Sequence, residues 1–462
     1  VLAVLCVIVS LTLGSCASTV KKAEELFTPS VKSEKEMGQE FAQEAAKHLN
    51  LIEDPEILEY INRIGEPIID AAQPMSYRFR FHVVKNPTLN AFAVPGGHLY
   101  LFSGLLLKAR GANEVAGVIA HELAHVKHRH TAQMVGKGTL VSLLSLAAIV
   151  AGGATGAGGQ AGPAVAAGAL GASAAAQLSF SREFEQEADR YGLFYLYQAR
   201  YDTHGLLDFL STVEREERFA TSKIPSYLLT HPMSPERMAQ VEHLIEVNRL
   251  QVRESRDIPD FYRFQGLLMA EAGEAAYTIP LLKQKAEESP RDPQRWHQLA
   301  LVYNRFGWTQ EAILAFQKAL DADPNLCPAL VDYGALLVRM GKGQEAETLF
   351  QRAASLRPDY APAYVRWGET LLQRNQIQEA NASFAKALAL EPHLIRVHEL
   401  RAKARKEAKD EGGYHEEMAT YYEKLDRLRE AIKHLREAVK IYGETSERGE
   451  EVKRRIEFIR SS

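Results

Sequence analysis

From about residue 259 the chain repeats itself every 34 residues. Pro290, Pro324, Pro358 and Pro392 recur at that interval, as do Gly273, Gly307 and Gly341, with Asn375 at the next equivalent position. Ala312, Ala346 and Ala380 follow the same step, and so do Phe316, Phe350 and Phe384. A unit of this length, with this order of glycine, alanine, phenylalanine and proline, is a pair of helices that buries its apolar face only by stacking on its neighbours. The period therefore predicts an all-α solenoid with a concave groove. Gly273, Thr278, Leu282 and Pro290 form a degenerate first repeat, and Arg427 to Tyr442 echo the second helix of another. Between them, Lys403 to Gly413 reads as either a charged, solvated helix or a break. Trp296, Tyr303, Tyr333 and Trp367 fall at first-helix positions, mostly as packing residues.

A second feature lies upstream and carries chemistry. His121-Glu122-Leu123-Ala124-His125 is an H-E-x-x-H motif. Residues four apart lie one above the other on a helix, so two imidazoles can reach one metal ion. Glu122 projects from the adjacent position, where it can act on a water that zinc has acidified to a pKa of roughly 7. With 15 histidines in 462 residues, chance yields such a motif fewer than ~0.06 times, which favours a site over two incidental core histidines. Val115, Val118, Ile119, Leu123 and Val126 supply a helical apolar face, with Asn113 as the expected N-cap. A catalytic zinc site usually takes a third protein ligand. The stretch Ser179 to Gly192 reads as a second helix, with Glu185 and Asp189 four apart on one face. If Glu185 is a ligand, Asp189 is placed to accept the outer N–H of a ligand histidine. Glu183 and Glu187 read as a solvated acidic face. His98 reads as a strand surface residue, and His128 and His130 as a basic helix end that offsets the C-terminal dipole.

H-E-x-x-H followed by E-x-x-x-D on a later helix resembles the gluzincin arrangement. N-E-V-A-G-V-I-A-H-E-L-A-H-V and S-R-E-F-E-Q-E-A-D-R-Y-G resemble the M48 metallopeptidases, in particular their periplasmic branch with a tetratricopeptide C-terminus. The resemblance spans nearly the whole chain. It implies one zinc ion per chain held by His121, His125 and Glu185, with Glu122 as catalytic base and Asp189 behind the ligands. Leu228 to Arg237 resembles the family's T-H-P-x-x-x-x-R element and implies catalytic-site positions for His231 and Arg237. Two roles are open to His231: occupying the open zinc position, or swinging away to stabilise an oxyanion. Val94-Pro95-Gly96-Gly97 marks a hairpin turn between Ala91–Val94 and His98–Phe102. The resemblance makes Asn90, Ala91, Phe92 and Ala93 a cleft-lining edge strand to which a peptide adds by backbone hydrogen bonds.

Residues 1–15 form an apolar run like a signal-peptide core without its basic start, and Leu13-Gly14-Ser15-Cys16 matches a lipobox. The resemblance implies a lipid on Cys16 and an outer-membrane, periplasm-facing location, with a plain secretory signal or an uncleaved anchor as the alternative. With Cys6 removed and Cys16 acylated, only Cys327 remains, so no disulfide framework is expected. Leu140 to Gln177 is apolar, then Gly/Ala-rich, and reads as a mobile lid, a buried hairpin or a membrane-surface contact. A formal charge of −4 with 25% charged residues argues against nucleic acid as a partner.

The expected architecture is α+β and mainly helical: a signal segment 1–15, a tether 16–35, a gluzincin-type domain with a small sheet 36–255, tetratricopeptide repeats 256–405 and a helical segment 406–462. The expected function is a zinc endopeptidase acting on misfolded or stalled envelope proteins, its repeats docking substrate or the outer-membrane β-barrel assembly machinery. A chaperone or adaptor with a latent zinc site is the rival reading, and a cell-wall amidase a weaker third.

Overall fold

Ser30 starts the first helix, its hydroxyl accepting the Ser33 amide at 3.1 Å. In the computed structural model, residues 30–135, 181–219, 226–233, 235–256, 258–425 and 427–461 are described. The signal-like run, Cys16, and the Gly/Ala-rich stretch expected to form a lid lie outside them. Helix α1 (Val31–His48) takes in the last five residues of the expected tether. The cause is Glu34, a buried carboxylate paired with the Arg129 guanidinium and accepting the Tyr77 hydroxyl at 2.9 Å. The chain divides into two compact units, Val1–Asp54 with Tyr60–Phe261, and Pro55–Glu59 with Tyr262–Ser462. Among the described residues, no helix is long and apolar enough to cross a membrane.

Unit 1 holds four strands: β1 (Leu51–Ile52), β2 (Arg80–Val84), β3 (Ala91–Val94) and β4 (His98–Phe102). Their order is β1-β2-β4-β3, with β2 and β4 parallel and the other pairs antiparallel. β3 and β4 form the expected hairpin, and its turn uses Gly96 and Gly97 at φ 86° and 88°, where a side chain would be strained. β3 is thus an edge strand. One face of the sheet packs under α1 through Phe41, Ala45, Phe92, Tyr100 and Phe102. His98 is buried, against the expectation of a surface position. Parallel pairing of β2 with β4 brings the His82 ring beside it, and Nε2 of His82 lies 3.0 Å from Nδ1 of His98.

The remaining unit 1 helices are α2 (Pro55–Ala71, first turn in unit 2), α3 (Ser103–Lys108), α4 (Ala112–Lys127), α5 (His130–Val135), α6 (Arg182–Gln198), α7 (His204–Phe219), α8 (Ser226–Thr230) and α9 (Pro235–Val247). α4 is the centre: every residue from Glu114 to Val126 is buried. Its N-cap is Gly111, which makes no side-chain cap bond, so Asn113 sits inside the first turn rather than at the cap. α6 packs directly on α4, and a Cβ at Gly192 would come within 3.2 Å of the His121 backbone nitrogen. The glycine lets the two helices approach closely where their functional residues face each other.

Unit 2 is the expected solenoid. Its helices are α10 (Phe261–Ala272), α11 (Ala275–Glu288), α12 (Pro293–Arg305), α13 (Thr309–Ala322), α14 (Cys327–Arg339), α15 (Gly343–Leu356), α16 (Ala361–Gln373), α17 (Ile377–Leu390), α18 (Ile395–Glu407), α19 (Glu411–Lys424), α20 (Leu428–Tyr442) and α21 (Glu447–Ser461). The repeated Phe316, Phe350 and Phe384 are fully buried. Residue 405 falls inside α18, so the helical run crosses the expected boundary there. The charged stretch after Lys403 contains a turn: Lys409 takes φ 60°, and Asp410 accepts the Gly413 amide at 2.9 Å to start α19.

Candidate metal centre

The helical spacing of the H-E-x-x-H motif brings Nε2 of His121 and Nε2 of His125 to 3.0 Å. From α6, Glu185 places Oε1 3.3 Å from His125 Nε2 and Oε2 3.6 Å from His121 Nε2. His231 follows the C-terminus of α8, its ring stacked on the buried Tyr227 at 4.4 Å, and sets Nδ1 2.9 Å from Glu185 Oε1 and 3.4 Å from His121 Nε2. His121, His125, Glu185 and His231 thus offer four donor atoms within 4.8 Å of one another, all buried. Zinc–nitrogen and zinc–oxygen bonds of roughly 2.0–2.1 Å put tetrahedral ligands about 3.3 Å apart. Five of the six donor pairs here stand at 2.9–3.6 Å. Three ring nitrogens and a carboxylate converging this closely match the donor types that bind a zinc-like cation. A cation fits among them.

Electrostatics point the same way. Burial favours the neutral form of Glu185, but Arg237 and His231 outweigh it and hold the carboxyl well below its ordinary range. Burial drives His125 well below the ordinary histidine value, keeping it neutral, the form that binds metal. His231 is pushed up against its own burial by Glu185 and Glu122, which marks a place where positive charge is stabilised. Glu122 is raised, chiefly by burial. Its Oε1 lies 3.3 Å from His231 Nε2. The carboxylate is adjacent to the donor set without belonging to it.

Asp189, one turn beyond Glu185, stands 2.9 Å from the outer nitrogen, Nδ1, of His121. Arg237 grips Asp189 with two bonds of 2.7 and 2.8 Å and reaches Glu185 Oε2 at 2.5 Å. Burial opposes ionisation of Asp189, but Arg237 outweighs it and the carboxyl falls to about 2. Arg237 therefore holds the two carboxylates charged and oriented.

Three residues read as surface or dipole groups join this network. His130 is 1% exposed, its Nδ1 3.1 Å from His125 Nδ1 and its Nε2 3.3 Å from Glu187 Oε2. Glu187 Oε1 is 3.6 Å from His128 Nδ1, so Glu187 is not a free solvated acid. Glu183 is exposed, as expected. His128 stacks on Tyr191 at 3.8 Å. The sequence hides this arrangement because Arg129, at φ 61°, breaks the helical spacing before His130. Of the expected edge-strand residues, Asn90 and Ala91–Ala93 are all buried, and β3 packs against α4. Asn90 accepts the Ala91 amide at 2.9 Å, and its Nδ2 has no hydrogen-bond partner among the described residues.

Residues 56–245 match the model of peptidase family M48, and residues 293–326, 337–404 and 413–445 match tetratricopeptide-repeat models. The beta-barrel assembly-enhancing protease of Escherichia coli (strain K12) is 28% identical over 306 residues, covering 64% of this chain and 61% of the relative. Its counterpart in Yersinia pestis is 30% identical over 308 residues, covering 66% and 60%. The mitochondrial metalloendopeptidase OMA1 of Schizosaccharomyces pombe is 29% identical over 183 residues, covering 40% and 51%. The chain thus spans 60–61% of the length of the two bacterial relatives. Among solved structures, a crystal structure of MamA superposes with a TM-score of 0.31 at 20% identity, covering 36% of this chain and 91% of the other.

Proposed function

From a chain that carries a peptidase family M48 domain followed by tetratricopeptide repeats, we propose a zinc-dependent endopeptidase of the bacterial cell envelope that hydrolyses peptide bonds in misfolded or stalled envelope proteins. One observation carries the reading: four buried donors converge with a buried carboxylate, Glu122, beside them. Zinc supplies Lewis acidity, polarising a carbonyl and acidifying water.

The chain's own residues do the rest. His121, His125 and Glu185 hold the ion. Glu122 takes the proton of the attacking water and delivers it to the leaving amine, a role suited to a carboxyl raised by burial. Asp189 fixes the ring of His121 and is itself fixed by Arg237. The edge strand β3, beside α4, is where an extended substrate adds, reading backbone more than sequence. The names of the bacterial relatives support outer-membrane β-barrel proteins and their assembly machinery as the setting, with the repeats as docking surface. The lipobox at Cys16 supports anchoring at the outer membrane.

His231 favours a second reading alongside the first. With His231 Nδ1 in the donor set, four protein side chains are available to a metal, the ligand count of closed, structural zinc sites. The arrangement is then a latent form that opens when His231 swings out, and a chain that stays latent acts as an adaptor through its repeats.

The test is cleavage of an unfolded outer-membrane β-barrel protein by the zinc-loaded chain and by Glu122→Gln. Activity should fall by roughly 10²–10⁴-fold with zinc content unchanged. Equal cleavage by both removes Glu122 from the mechanism. Silence from both at one zinc per chain favours the adaptor, and His231→Ala then distinguishes a locked enzyme from an inactive one.

A further inference from the structure

The outer nitrogens of the two motif histidines have different partners. His121 Nδ1 meets a carboxylate, Asp189, directly. His125 Nδ1 meets another histidine, with His130 Nδ1 at 3.1 Å. We infer that His130, backed by Glu187, is a positioning residue for the metal centre: a histidine relay that holds His125 in one tautomer with its Nε2 lone pair aimed at the other donors. The inference rests on the metallopeptidase reading above and goes beyond it.

The placement of protons fixes the direction of the relay. His125 Nε2 stands among His121 Nε2 and Glu185 Oε1, so its lone pair belongs there and the neutral ring carries its proton on Nδ1. His130 Nδ1 must then accept, which puts the proton of His130 on Nε2. That atom lies 3.3 Å from Glu187 Oε2, and an ionised carboxylate accepts. Every link has one donor and one acceptor. Flipping the tautomer of His130 would set two N–H groups face to face at 3.1 Å.

The surroundings make this orientation rigid. His130 is 1% exposed and stacks on Phe184 at 4.3 Å with the rings 10° from parallel. Arg129 ends the helical path, and this turn brings His130 back to His125. On an unbroken helix a residue five further on would point about 140° away. Outer partners of metal-bound histidines set ring orientation and basicity, and losing one typically costs 10–100-fold in metal affinity.

The experiment measures zinc affinity of the full chain by competition with a chromophoric chelator. His130→Asn keeps an acceptor oxygen near the position of Nδ1 and should retain most of the affinity. His130→Phe keeps the stacking on Phe184, lacks the acceptor, and should bind roughly 10-fold more weakly or worse. Glu187→Ala should lose less, and the double variant should bind no more weakly than His130→Phe alone, since Glu187 reaches the ion only through His130. Wild-type affinity in His130→Phe overturns the relay, as do losses that simply add. If His130→Phe does not fold, Glu187→Ala decides, and unchanged affinity there overturns it. A wild-type chain that holds no zinc overturns the metal reading and the relay together, whereas strong zinc binding indifferent to His130 overturns the relay alone.

Discussion

Arg237, Asp189 and His121 in unit 1 repeat an arrangement that Arg263, Asp332 and His297 build in unit 2. In the first, Arg237 holds Asp189 through bonds of 2.7 and 2.8 Å, and Asp189 meets His121 Nδ1 at 2.9 Å. In the second, Arg263 holds Asp332 at 2.7 and 2.6 Å, and Asp332 meets His297 Nε2 at 2.8 Å. In both, burial opposes the aspartate's charge and the arginine overrides it. The difference is what the far edge of each histidine faces. His121 Nε2 faces two more ring nitrogens and a carboxylate. His297 Nδ1 has no hydrogen-bond partner among the described residues, and its ring lies near those of Tyr262 and Phe316. A buried arginine–aspartate pair orients an imidazole equally well in either place. Chemistry arises only where further donors converge on the oriented ring, and elsewhere the same triad is packing.

The sharpest way to break this comparison is His121→Phe. It should abolish stoichiometric zinc and reduce cleavage to background, read by metal analysis and by the β-barrel cleavage assay. Retained zinc at wild-type affinity would mean that the convergence at His121 is not the site.

Next in size is Asp332→Ala. It leaves the buried Arg263 without its bidentate partner, at a cost of about 3 kcal/mol, the low end of the usual range because Glu56 still pairs with Arg263. Urea unfolding followed on unit 2 should show the loss, while zinc affinity and cleavage at low denaturant stay as in the wild type. If zinc affinity falls as far as stability, the two triads are not separable in the way the geometry implies.

Acid should separate the units. His98 and His82 are depressed to about 4 and about 3, chiefly by burial. A histidine with a lowered folded pKa binds fewer protons folded than unfolded, so its contribution is full above about 6.5 and is lost as pH falls towards those values. Glu56 in unit 2 is lowered to about 2: burial opposes this, but Arg366 and Arg263 outweigh it. Its contribution holds above its ordinary value near 4.5 and is lost only below it. Between pH 7 and pH 5, then, unit 1 should weaken on the order of 2 kcal/mol for each of these two histidines, more than unit 2, where burial also lowers His415 and His434 but by less. Hydrogen exchange at the two pH values would locate the loss, and weakening first in the repeats would contradict the assignment.

How much of this was legible beforehand follows the range of the interactions. The pair His121 and His125 and the pair Glu185 and Asp189 are i,i+4 relations, so spacing alone puts each pair on one face. His231 and Arg237 come from separate elements and were found only through a family motif. His130 and Glu187 were read as peripheral because the left-handed Arg129 breaks the spacing rule between His125 and His130. A histidine five residues past a candidate ligand, just after a helix end, is the available signal. The hairpin of β3 and β4 follows from its glycines, but the parallel partner β2 does not, and with it went the burial of His98. In unit 2 the period carried more than it seemed to. Arg263, His297 and Asp332 stand 34 and 35 residues apart, so the repeat itself stacks them into one buried polar ladder.

The smallest effect is the one that tests the idea most directly. His297→Phe should keep the ring packing of a fully buried position beside Phe316 and remove one hydrogen bond to Asp332. Both oxygens of Asp332 remain matched by Arg263, so the loss should stay near 1 kcal/mol. Zinc content and cleavage should not change. The same substitution at His121 should remove the metal, although each of the two histidines is fully buried beside an arginine–aspartate pair. Were His297→Phe to impair zinc binding or cleavage, the ladder in the repeats would be coupled to the chemistry, and the triad in unit 2 could no longer be read as packing alone.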